Sequence, residues 1–76
     1  MLTKGARVRV HHGSQRVAGV VELASDNGDS LLVRLGAPLR VAEGLYVNFV
    51  ALLRSEAGGP YRDLLCDAVI EVHAEH

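Results

Sequence analysis

The chain predicts an all-β fold: one domain over residues 1–76, built as a small antiparallel split barrel of five or six strands. Three observations carry this. Apolar and polar residues alternate at period two through most segments, the mark of half-buried strands. Glycine-containing turns separate those segments at short intervals. No stretch offers a credible long helix, and a small sheet escapes exposed edges by closing on itself.

Taken in order, Arg7-Val-Arg-Val-His11 alternates and forms the first strand. Gly13-Ser14-Gln15 is a short polar hairpin loop. Residues 16–24 form the second strand, with Val17, Gly19, Val21 and Leu23 on its core face. Asn27-Gly28 within Ser25–Asp29 is a strong hairpin signal of the type I′ kind. The third strand runs from Ser30 to Leu35 and turns Leu31, Val33 and Leu35 inward. Gly36 and Pro38 interrupt the pattern, so residues 36–44 are expected as a connection. Leu45–Arg54 is read as a strand because Tyr46, Val47, Phe49 and Val50 favour strands and no capping box precedes them. Its expected core face is Val47, Phe49, Ala51 and Leu53. Ala57-Gly-Gly-Pro60 is a turn, and Tyr61–His73 closes the chain with Cys66, Ala68, Ile70 and Val72 on one face.

On this reading Val20, Leu32, Val50 and Leu52 point away from the core. They are the candidate interface, because an apolar second face is either covered or meets a partner. The composition agrees. The chain is 49% hydrophobic but only 4% aromatic. A domain this small is marginal without a disulfide, a metal or a partner surface. One cysteine, Cys66, excludes an intrachain disulfide. Net charge of −1 argues against holding nucleic acid by electrostatics alone. No apolar run is long enough for a membrane span and the first residues do not form a signal peptide, so a cytoplasmic domain is expected.

Enzymatic chemistry finds no constellation. Nucleophile elbow, C-x-x-C and phosphate loop are all missing, and the carboxylates stand singly. Cys66, mid-strand among apolar neighbours, reads as an inert thiol. His11 and His12 are adjacent on a strand and point to opposite faces, so they cannot share a metal. His73 and His76 could chelate only from a helix. Solvated histidines, no metal and no cofactor are the expectation. Arg7, Arg9 and Arg16 around the first hairpin are the best anion-binding candidates, since guanidinium groups suit phosphates.

Gly19-x-Val21-x-Leu23-x-Ser25-x-x-Gly28, followed by Leu31-Leu-Val-Arg-Leu35, resembles the signature stretch of the PilZ superfamily of bacterial split barrels. The layout from Lys4 to Val72 is similar to the N-terminal barrel of flagellar-brake proteins. It opens on Gly5-Ala-Arg-Val8-Arg-Val10, passes Pro38 to Gly44-Leu-Tyr-Val47-Asn-Phe49, and ends through Gly59-Pro-Tyr61 in Ala68-Val-Ile-Glu-Val72. The resemblance implies a regulatory or adaptor module in cyclic di-GMP-linked motility or surface attachment, with Ser25 and Gly28 at retained signature positions beside the three arginines. Leu23 stands where the signature has an acidic or amide residue. The family's R-x-x-x-R motif is absent, since His11 follows Arg7 and Gly13 follows Arg9 at that spacing. These departures favour protein–protein contact, with a partner or a second copy, over direct binding of the cyclic dinucleotide. Residues 2–50 also resemble the third, barrel domain of translational GTPases, especially the selenocysteine-specific elongation factor, through Arg7-Val-Arg9, Gly13-Ser14, Val17-x-Gly19-x-Val21 and Val33-Arg-Leu35-x-x-Pro38. A small SH3-like or KOW-type RNA module is a third reading; near-neutral charge and only three aromatics weigh against it.

Overall fold

A computed structural model of the chain describes residues 2–75. It contains six strands: β1 (Arg7–His12), β2 (Gln15–Ala24), β3 (Ser30–Ala42), β4 (Leu45–Leu53), β5 (Tyr61–Asp63) and β6 (Val69–Ala74). Each pairs antiparallel with the next, and β6 returns to pair with β1, so the sheet closes into a barrel in simple chain order. The short turns between apolar strands make this the natural solution. Consecutive strands can pair locally, and closure leaves no edge to cover.

The interior is aliphatic. Val8 and Val10 of β1, Val21 of β2, Leu31, Val33, Leu35, Leu39 and Val41 of β3, Val50 and Leu52 of β4, Tyr61 and Ile70 form one buried cluster. Gly19 faces inward where β2 approaches β3 closely. A Cβ there would lie 2.8 Å from a Val33 methyl and 3.0 Å from the Arg34 carbonyl oxygen. Only glycine fits without a shift of the neighbours.

Three features depart from the alternation read along the chain. First, β3 does not stop at Gly36. It runs on through Pro38 to Ala42 and buries Leu39 and Val41. From Arg34 to Leu39 the strand advances five positions while its partner moves two, from Phe49 to Val47. Gly36 and Pro38 therefore mark a bulge, where a missing N–H does no harm, rather than the end of a strand. Backbone pairing with β2 has stopped at Gly19–Leu35. Beyond it the Gln15 side chain takes over, donating to the Arg40 carbonyl (2.7 Å) and accepting from the Arg40 N–H (2.9 Å).

Second, β4 is turned the other way from Phe49 onward, while Val47 packs against the core as expected. Val50 and Leu52 lie inside the barrel, and Phe49 and Leu53 lie outside. From Phe49 to Leu53 both faces are apolar, so alternation alone cannot choose between them. The register chooses: Val50 sits opposite Val33 and Leu52 opposite Leu31, and paired residues share a face. Val50 and Leu52 are thus core residues, and their assignment to an interface is corrected. Leu23 is displaced for a related reason. A register shift between Val21 and Leu23 swings it outward.

Third, the closing segment is two strands. Asp67, with φ of 59°, turns the chain between β5 and β6, and Cys66 lies in that turn rather than mid-strand. The Ser25–Ser30 hairpin also differs in type. Gly28 alone has positive φ there, and its N–H reaches the Ser25 carbonyl at 3.0 Å, so the turn is not type I′.

This hairpin is locked to the far side of the barrel. The buried Tyr61 hydroxyl donates to the Gly28 carbonyl. Arg54 pairs with Asp29 at 2.8 Å and lies over the Tyr61 ring, 5.0 Å from its centroid. Tyr61→Phe removes the donor and leaves a buried carbonyl unpaired, an expected loss of about 1–3 kcal/mol in chemical denaturation.

Candidate functional site

The strongest surface feature lies on the outer face of β2, β3 and β4. Leu23 sits opposite Leu32, and Leu32 opposite Ala51. The Leu64 N–H donates to the Ala51 carbonyl at 2.9 Å, which brings Leu64 alongside. The result is a row, Leu23–Leu32–Ala51–Leu64, that crosses the sheet and lines one shallow groove. Leu23 is 59% exposed and Leu64 66%. Leu53 and Phe49, also exposed, extend the row on either side through their pairing with Ser30 and Arg34. Arg34 is ion-paired with Glu22 at this border.

Of the four residues expected at an interface, Val20 and Leu32 are half-buried and only Leu32 belongs to this row. Leu23, Phe49, Ala51 and Leu53 had been placed inside, and Leu64 had no assigned role. The available signal was the excess of apolar residues over what one face of a small barrel can hold. What could not be read was which strand carried the excess outward.

The anion candidates do not converge. Arg7 and Arg9 project from β1, and Arg16 lies opposite His11 at the other end of the hairpin. Arg9 pairs with Glu75 at 3.7 Å. Arg16 donates to the carbonyls of Gly13 (2.9 Å) and Gln15 (3.0 Å) in its own hairpin. Arg7 shares a depression with Arg34 and Glu75, not with Arg16. Ser25 and Gly28 build their turn: the Ser25 hydroxyl donates to Asn27 Oδ1 at 2.8 Å and accepts the Ser30 N–H at 3.0 Å.

Cys66 is half-buried with Sγ 3.1 Å from Asp63 Oδ2. That hydrogen bond, then burial, pushes the thiol pKa up and keeps it protonated, the opposite of what a nucleophile needs.

No family model, curated protein or solved structure matches the chain. Among the described residues, no helix is long and apolar enough to cross a membrane.

Opposite the apolar row, the outer face of β1 and β6 gathers polar groups. His11 stands across from Glu71, and Arg9 across from His73. The His11 and His73 rings lie 4.5 Å apart, and His73 Nε2 is 3.4 Å from Glu71 Oε1. His76, and with it the His73–His76 pairing, lies outside the described residues. Partial burial, then Arg16, His73 and Arg9, hold the His11 pKa below its ordinary 6.5 against the pull of Glu71. The unfolded chain therefore takes up this proton first as pH falls. The His11 contribution to stability is intact above 6.5 and is lost as pH drops below it. Thermal melts of wild type and His11→Gln across this range are expected to converge or cross toward acid, the wild type losing more.

Proposed function

We propose that this protein is a non-catalytic binding module that works by protein–protein contact through the row Leu23–Leu32–Ala51–Leu64. The observation that carries the reading is that row: four apolar residues from four segments, side by side and outside the barrel. Contiguous exposed apolar surface on a small domain marks an interaction site. The row itself carries no charged side chain, so the complementary surface is another apolar one. A second copy related by a twofold axis supplies it, because an isologous contact needs only self-complementarity. The barrel would act as a regulatory or adaptor unit. The PilZ-like layout supports bacterial cyclic di-GMP-linked signalling in the cytoplasm as its setting, with the dinucleotide sensed elsewhere.

Leu64→Asp is the informative change, because it places an unpaired carboxylate in the contact while leaving the core alone. It is expected to weaken self-association at least tenfold, since desolvating that charge costs more than ~1.4 kcal/mol. Sedimentation equilibrium of the two proteins tests this.

A further inference from the structure

We infer that His11, Glu71 and His73 form a zinc-binding site on the seam between β1 and β6. Their ligand atoms all lie within 4.8 Å of one another. The sheet register brings them together: Glu71 is directly opposite His11, and His73 is two residues further along β6 on the same face. Two imidazoles and one carboxylate are a donor set suited to zinc. Ligands held ~2.0–2.1 Å from a tetrahedral ion lie about 3.3 Å from each other. His73 Nε2 and Glu71 Oε1, at 3.4 Å, already have that separation. The His11 ligand atom lies within 4.8 Å of both, and the two β6 ligands are exposed enough to adjust. Two positive charges stand close by, Arg9, which pairs with Glu75, and Arg16, which donates to its hairpin carbonyls, so the ion must bind against them. Water would complete the coordination.

The position gives the site a consequence. β1 and β6 are the first and last strands, and their pairing closes the barrel. A zinc ion held by His11 from one and by Glu71 and His73 from the other ties the two ends of the chain together. Metal that binds only the folded form then raises the unfolding midpoint. This is the staple a domain without a disulfide lacks.

The test uses untagged, chelator-treated protein titrated with zinc chloride, followed by calorimetry and by the histidine ring proton resonances. One zinc per chain is expected, with the His11 and His73 signals shifting together and the unfolding midpoint rising. Losing one of three ligands in His73→Ala or Glu71→Gln is expected to weaken binding by at least about tenfold, because even outer-shell changes cost 10–100-fold. His12→Ala binds as wild type. The site is refuted by an absence of stoichiometric binding, by unchanged affinity in His73→Ala, or by loss of binding in His12→Ala.

Discussion

Leu52→Asp is expected to abolish folding, whereas Leu64→Asp leaves the barrel intact. The two leucines are neighbours across a single strand pairing, yet they face opposite ways. Leu52 is fully buried opposite Leu31, and Leu64 is mostly exposed beside Ala51. A carboxylate at Leu52 would have to be charged in the interior, opposite the buried carboxylate of Asp63, or take up a proton there. Either costs several kcal/mol, comparable with the total stability of a domain this size. Circular dichroism and thermal melts compare the two directly. A folded Leu52→Asp protein would mean that β4 presents its other face to the core.

Leu39→Ala is expected to cost about 2–5 kcal/mol, read as a lowered midpoint in urea at unchanged slope. Leu39 is fully buried, yet it follows Pro38 in a stretch that looks like a surface connection. A residue in such a connection would change stability by no more than about 0.5 kcal/mol when truncated. The substitution therefore separates a β3 that continues through its bulge from one that ends at Leu35.

The parts of this fold that were legible in the sequence are those where one face of a strand is plainly polar. β1 shows this, with Arg7 and Arg9 outside and Val8 and Val10 buried. The third strand was also oriented correctly, because Arg34 fixes its outward face. β4 has no such marker from Phe49 to Leu53, and its polar Asn48 sits where the alternation breaks, so its orientation rests on pairing with β3, a non-local fact. Leu23 and Leu39 were misplaced because bulges change the period locally, and glycine and proline signal a bulge and a chain break alike. The existence of an apolar outer surface was legible, since the apolar content exceeds what one interior uses. Its composition was not, and only Leu32 of the expected interface lies in the row. The His11–Glu71–His73 grouping was likewise hidden. It joins residues from the two ends of the chain through a strand pairing that closes the barrel.

The Leu23–Leu32–Ala51–Leu64 row is the centre of the functional reading, and the native mass of the protein tests it most directly. Sedimentation equilibrium over a range of concentrations is expected to show wild-type chains associating, and the folded Leu64→Asp protein shifted to monomer. A wild type that stays monomeric throughout, or a Leu64→Asp protein that associates as strongly as wild type, would contradict it.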